Sequence, residues 1–451
     1  MNEAEILRLA EFDINHVIHP QFNVADHRDA IMYASGKGAV LTDVRGKQYI
    51  DGLSSLWNVA VGHGRTELAE AAAAQMSTLA FSNAYTGYAN EPSIRLAEKL
   101  LSLVYPNMSG IFYANSGSEA NEMAVKAARY FWFVSGKPAK TKIISRAEAY
   151  HGGTMAATAV TGMAPFHKGF GPEPPDFVQT ATCYPYRCQT CGPAGCGPGC
   201  ADAIDAAIVR EGADTVAAVI AEPVHGAGGV IPPCPGYWPR LREICDRHGV
   251  LLIADEVITG FGRTGRWFAL EHWGVQPDIM TIAKAITSAY VPLSAFIASE
   301  RVHRAILDAP ADAKFMIGCT NAAHPTACAV ALRNLRIFED EALVERAERM
   351  GRRLNEGLAR LLEMPNVGNV RGLGLMAAVE VVADRATKQP FAAGEAIGPK
   401  LARAMRERGV VTRVKGDIVL LAPPLVITEE QVDTMVNVTG DAIDAVMKGR
   451  G

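Results

Sequence analysis

The segment "GIFYANSGSEANEMAVKAARYF", residues 110–131, decides how the rest of the chain is read. Ile111 to Ala114 are apolar and suited to a strand, and Asn115 to Ser118 are turn formers. Beyond them Ala120, Met123, Ala124, Ala127 and Ala128 recur at helical spacing on one face. A strand, a turn and a helix in that order begin an alternating arrangement that continues downstream. "TVAAVIAEPV" (215–224) and "GVLLIADEV" (249–257) read as buried strands with "YWPRLREICDRHG" (237–249) as a helix between them, and "DIMTIAK" (278–284) and "LSAFIAS" (293–299) follow. This alternation implies an α/β fold with a mostly parallel sheet covered by helices on both faces.

The ends of the chain differ. Residues 1–55 and 325–451 carry amphipathic helices ("NLRIFEDEALVERAERMGRRLNEGLARLLE", 334–363) and short strands ("LGLMAAVEVV", 373–382; "DIVLLAPPLVI", 417–427). They are expected to form a small α+β domain from both termini around a large domain at 56–324. Lys and Arg number 44 against 48 Asp and Glu, for a formal net charge of −4 without a basic run, which argues against nucleic acid as a partner. The amino terminus "MNEAEILRLAEFDINH" is acidic and interrupted by charges, so neither a secretory signal nor a transit peptide is expected there, and no uncharged apolar run has the length of a membrane helix. A cytoplasmic enzyme is the expectation.

Three ionisable residues share a position on the core strands. Glu222 follows "VAAVIA", Asp255 follows "VLLIA" and Lys284 follows "IMTIA", so each lies just past the carboxyl end of a strand. That edge of an open α/β sheet is where ligands bind. Asp255 and Lys284 are 29 residues apart, the length of one crossover between parallel strands. Ser116, Gly117 and Ser118 meet them at a helix start, where backbone N–H groups and the helix dipole attract a phosphate. The same residues also read as an S-x-x-E capping box, Ser116 to Glu119, which any helix can use. Pyridoxal phosphate would use all of these parts: an amine for its aldehyde, a carboxylate for its pyridinium nitrogen and a cradle for its phosphate.

The ordered motifs "NSGSEAN", "YHG", "AEPV", "DEVITGFGRTG", "AKAITSAYVPLSA" and "TNAAHP" resemble the class III pyridoxal-phosphate-dependent aminotransferases, in particular the omega-transaminases that use pyruvate as acceptor. The resemblance covers nearly the whole chain. It implies a type I fold working as a homodimer with shared active sites, or as a tetramer built from such dimers. Lys284 would be the Schiff-base lysine and Asp255 the partner of the pyridine nitrogen. Val257 and Tyr150 would lie on opposite ring faces, with His151 and Gly152 beside Tyr150. Ser116, Gly117 and Ser118 would hold the phosphate, helped by Thr320 of the neighbouring subunit, and Glu222 would join the polar network. Phe22, Trp57, Tyr85 and Tyr150 would wall the substrate pocket, Tyr85 from across the dimer, and Arg413 would clamp a carboxylate. Ala285, Ala289, Ser294 and Ala323 stand where the family usually has glycine, and their side chains are expected to require negative φ.

The reading is therefore amino transfer from an amine or omega-amino acid to pyruvate. The rivals are an aminomutase, a decarboxylating transaminase or a 2-oxoglutarate-dependent enzyme of the same fold, and, remotely, a metal-binding interaction protein. That last rival comes from "CYPYRCQTCGPAGCGPGC" (183–200), where Cys188, Cys191, Cys196 and Cys200 could bind zinc tetrahedrally. Their spacing departs from the usual two-knuckle pattern, and the expectation is no metal. Nine cysteines, an odd number, argue against a disulfide framework, and Cys183, Cys234, Cys245, Cys319 and Cys328 are expected to be small buried hydrophobes.

Overall fold

The structure is a computed structural model that describes residues 1–21, 23–188, 191 and 196–449. Its centre is a seven-stranded sheet in the order Met108–Ala114, Ser294–Ser299, Ile279–Ile282, Leu251–Asp255, Val216–Ala221, Lys142–Arg146 and Phe177–Thr180. Ser294–Ser299 runs antiparallel to both of its neighbours, and the other strands share one direction. Alternate residues of the central strands enter different apolar clusters. Val219, Leu252, Met280 and Ile297 face one, and Ile220, Leu251, Ile279 and Phe296 face the other. Burial on both faces is why these strands read as unbroken apolar runs rather than as alternating ones.

The register aligns the strand ends. Ala221 pairs with Ala254 and Asp255 with Thr281, so Glu222, Asp255 and Lys284 leave the sheet at one edge. The helix after the first sheet strand spans Gly117–Val134 and buries Ala120, Asn121, Ala124, Val125, Ala127 and Ala128. Met123, expected on that stripe, is only half-buried, and Val125 takes the inner position. The strands Lys142–Arg146 and Phe177–Thr180 had no strong signal of their own, because basic and polar residues interrupt their short apolar cores.

Segments from the two ends of the chain pair directly. Val410–Val411 adds in parallel to Gln48–Asp51, which belongs to a sheet with Tyr33–Lys37 and Val40–Asp43. A second four-stranded sheet combines Val367–Gly372, Ala377–Val381, Ile418–Leu421 and Arg413–Lys415. The long amphipathic stretch forms two helices, Pro325–Asp340 and Leu343–Ala359, separated where Ala342 adopts φ +48°. Among the described residues no helix is long and apolar enough to cross a membrane.

Candidate active site

A cavity of about 290 Å³ opens at the carboxyl edge of the sheet. It is lined by Ser116, Gly117 and Ser118 from the helix start, Tyr150, His151 and Gly152 from the loop after Lys142–Arg146, and Glu222, Asp255, Val257 and Lys284 from the next three strand ends. Ten residues expected from sequence are thus brought together by five connections of the sheet.

Asp255 is buried and bound on both oxygens. Oδ2 accepts from Asn121 Nδ2 at 2.8 Å and lies 2.7 Å from His151 Nδ1, and Oδ1 accepts from the Val257 N–H at 3.0 Å. Asn121 also donates to the His151 carbonyl at 2.7 Å and accepts from Thr281 Oγ1 at 2.7 Å. Sequence reasoning missed Asn121. The available signal was an amide at 121, which shares a helical face with Ala124, Val125 and Ala128 in an otherwise apolar stripe. His225 was missed as well. It approaches Glu222 Oε1 with Nδ1 at 3.4 Å, while its Nε2 is 2.7 Å from Thr182 Oγ1.

Glu222 accepts from the backbone N–H groups of Tyr150 at 3.0 Å and Gly226 at 2.9 Å. Burial pushes its carboxyl up, but His225, the charge of His151 and the Gly226 N–H outweigh this and hold it at about 2. Lys284 is drawn the other way. Burial lowers the pKa of its amine from the ordinary 10.5, opposed by the negative charges of Asp255 and Glu222. A lysine so placed reaches its nucleophilic, uncharged form more readily than one in water.

The helix start keeps part of its plain structural role. Ser116 Oγ accepts from the Glu119 N–H at 3.2 Å, as a cap does. The Glu119 carboxylate, however, reaches back to the N–H of Asn115 at 2.7 Å rather than to that of Ser116, so the reciprocal capping box is not formed. Ser118 Oγ accepts from the Gly153 N–H at 3.0 Å and ties the turn to the Tyr150–Gly153 loop. Gly152 has φ +139°, and a Cβ there would lie 2.5 Å from Ser118 Oγ.

A second cavity of about 170 Å³ adjoins the first, sharing Lys284, Tyr150, Leu56 and Ile258 with it. Trp57, Met163, Phe166, Gln21, Arg413 and Lys415 also line it. Arg413 is exposed and donates from Nη2 to Gln21 Oε1 at 2.9 Å. Phe22 lies outside the described residues. Thr320 and Tyr85 line neither cavity of their own chain; both are exposed, Tyr85 by 53%.

Two expectations about local chemistry need correction. Ala289 has φ +60° and Ala323 φ +55°, so these alanines keep the left-handed backbone that glycine would adopt more readily, instead of moving to negative φ. Lys284 and Ser288 are left-handed too, at +52° and +48°, which concentrates strain beside the lysine. Cys319 is half-buried rather than buried, whereas Cys183, Cys234, Cys245 and Cys328 are buried as expected.

Residues 22–443 match the family described as aminotransferase class-III. The chain belongs to the class III aminotransferases. A thermostable (S)-enantioselective omega-transaminase from Thermomicrobium roseum superposes with a TM-score of 0.94 at 43% identity, covering 99% of each chain. An omega-transaminase from Pseudomonas jessenii, solved in complex with PMP, gives 0.94 at 40% identity over 98% of each chain. A diaminobutyrate–2-oxoglutarate transaminase of Halomonas elongata is 39% identical, over 97% of this chain and 96% of its own. The fold of this aminotransferase is accordingly the type I fold of pyridoxal-phosphate enzymes, and pyridoxal phosphate is its cofactor. The cleft fits that group: a helix N-terminus, an amine and a buried carboxylate converge on it. Its wall at Gly117 leaves so little room that a Cβ would lie 3.0 Å from Val257 Cγ1.

Proposed function

We propose that this aminotransferase moves an amino group from an amine or omega-amino acid to pyruvate in a two-stage exchange. The observation that carries the reading is the placement of Lys284 between the two cavities, with the cofactor cradle on one side and Trp57, Tyr150 and Arg413 on the other. When bound, pyridoxal phosphate supplies an electron sink for the substrate carbon that loses its proton. Lys284 Nζ would hold the cofactor, and as a free amine it would take and return the substrate Cα proton. Asp255, oriented by Asn121, His151 and the Val257 N–H, would hold a proton on the ring nitrogen. Val257 and Tyr150 would confine the ring, and Ser116, Gly117 and Ser118 would bind the phosphate. Glu222 fixes the Tyr150 backbone through its N–H contact.

Arg413 binds the carboxylate of the keto acid, for which a guanidinium offers two parallel donors. The small volume beside Trp57 and Phe166 favours a short acceptor such as pyruvate. We further propose that residues 1–55 and 325–451 act as one small domain against 56–324, and that the enzyme works as a homodimer. In support of the dimer, segment 80–90 lies against 318–326, through Asn90 Nδ2 to the Ala323 carbonyl at 2.9 Å and the ring contact of Phe81 with His324. This region exposes Phe81, Tyr85, Tyr88 and Met316, a set of large apolar side chains of the kind that a partner covers. Thr320 and Tyr85 sit on that face, from which they would complete the partner's cleft.

The deciding experiment runs a panel of amines with pyruvate or 2-oxoglutarate and measures alanine or glutamate formed. Alanine with parallel-line kinetics is the expected result. The relative from Halomonas elongata makes 2-oxoglutarate the natural competitor, and glutamate as the sole product would overturn the acceptor assignment while leaving the fold untouched.

A further inference from the structure

The cysteine-rich segment is not absorbed by amino transfer. The Sγ atoms of Cys188, Cys191, Cys196 and Cys200 all lie within 4.8 Å of one another. Cys200 is buried and has three sulfur neighbours, Cys191 at 3.1 Å, Cys234 at 3.3 Å and Cys188 at 3.7 Å. A disulfide gives a sulfur one partner. Several sulfurs converging on a common centre are what a thiophilic cation demands. Zinc–sulfur bonds of about 2.3 Å place tetrahedral sulfurs about 3.8 Å apart; Cys188 and Cys200 at 3.7 Å match that edge, Cys191 and Cys200 at 3.1 Å are closer, and all four stay within 4.8 Å.

We propose that Cys188, Cys191, Cys196 and Cys200 form a closed, structural zinc site. The backbone prepares at least one ligand for it: the Cys191 N–H donates to Cys188 Sγ at 3.2 Å, the type of contact that stabilises a thiolate. Four thiolates confined to this volume would repel one another strongly, and a divalent cation removes that repulsion. Four protein sulfurs leave no open coordination position, so the metal takes no part in the chemistry at Lys284. A multi-iron cluster would spread its thiolates further apart than this, because several metal ions and bridging sulfides lie between them. Cys183 and Cys234 adjoin the site from the buried side, with Cys234 Sγ 3.3 Å from Cys200 Sγ and the Cys234 N–H donating to Cys183 Sγ at 3.0 Å, and we assign them to the support of the site rather than to the ligands.

The site lies at the root of a strap between two parts of the fold. Thr182 contacts His225, which stands next to Glu222. Tyr184 and Arg187 both bind Glu380 at 2.5 Å, and Arg371 binds the same carboxylate at 2.7 Å. Zinc at the end of the strap would hold these residues in register with the Ala377–Val381 strand, a role that the four-residue spacing between Cys196 and Cys200 serves by returning the chain to its own start.

Elemental analysis of holoenzyme from zinc-supplemented culture tests the assignment. One zinc per chain is expected, with an X-ray absorption spectrum of four sulfurs at about 2.3 Å. The double variant Cys191→Ser/Cys196→Ser should lose zinc at least about ten-fold, as removal of ligands predicts, and Cys183→Ser should keep it. If the double variant does not fold, a thiol-specific mercurial added to the wild-type enzyme should release one zinc as four thiols react. Metal-free wild-type enzyme, iron in place of zinc, or zinc that survives the double substitution would each overturn the proposal.

Discussion

Asn121 offers a sharp test of how the cleft is held. Asn121→Ala removes a charge-assisted donor to Asp255 and two neutral hydrogen bonds, to the His151 carbonyl and from Thr281. With about 1.5–3 kcal/mol for the first and about 1 for each of the others, partly recovered if water enters, the loss is about 3 kcal/mol. At about 2.1 cal/mol/K per residue the 451-residue chain unfolds with an entropy near ~0.95 kcal/mol/K, so the apoenzyme Tm should fall by about 3 °C. Asn121→Asp keeps the shape but points a carboxyl at Asp255 Oδ2 and the His151 carbonyl, 2.8 and 2.7 Å from the replaced amide nitrogen. Two carboxylates so close must retain a proton. Raising a carboxyl from about 3.9 past 7 costs about 4 kcal/mol at pH 7 but only about 1.5 at pH 5, where the unfolded chain is nearer its own protonation. Scanning calorimetry of wild type and both variants at pH 5 and 7 separates the effects. The deficit of Asn121→Asp should shrink on acidification and that of Asn121→Ala should not. Equal, pH-independent deficits would refute the electrostatic account and leave only packing.

Three further outcomes follow from the same geometry. Because burial depresses Lys284 in the folded apoenzyme, the folded state binds fewer protons than the unfolded one, and stability rises with pH between the depressed value and 10.5. Lys284→Met should therefore be at least as stable as wild-type apoenzyme near pH 7, with the difference closing toward pH 10.5; a less stable variant with a constant gap would contradict the burial penalty. Arg413→Ala should reduce kcat/KM for the keto acid about 10- to 100-fold while altering that of an apolar amine little, as loss of a charged hydrogen-bonding pair predicts, and steady-state kinetics with both substrates will read the contrast. Ala323→Gly relieves a left-handed, buried alanine and should stabilise by about 0.5–1 kcal/mol net of the entropy glycine adds, measured as a rise in the denaturant midpoint.

What could be read from sequence follows from which interactions are local. Lys284, Asp255 and Glu222 were legible because each interrupts or ends an apolar run, and the parallel register then had only one edge on which to place them. Asn121, His225 and Thr281 were not, because their partners lie 134, 3 and 160 residues away and nothing in "SEANE" or "IMTIA" says which buried polar group meets which. The pair His225–Glu222 is close in sequence, yet its meaning depends on Thr182, 43 residues earlier. Tyr85 and Thr320 carried no periodic signal at all, and their proposed roles came through resemblance, since a residue that completes a neighbouring subunit's cleft need not touch the cleft of its own. The left-handed alanines make the opposite point. Residue identity alone argued for negative φ at 289 and 323, but a cost of about 1–2 kcal/mol per residue is small beside the packing that determines the turn, and the backbone kept its course with a methyl group in glycine's place.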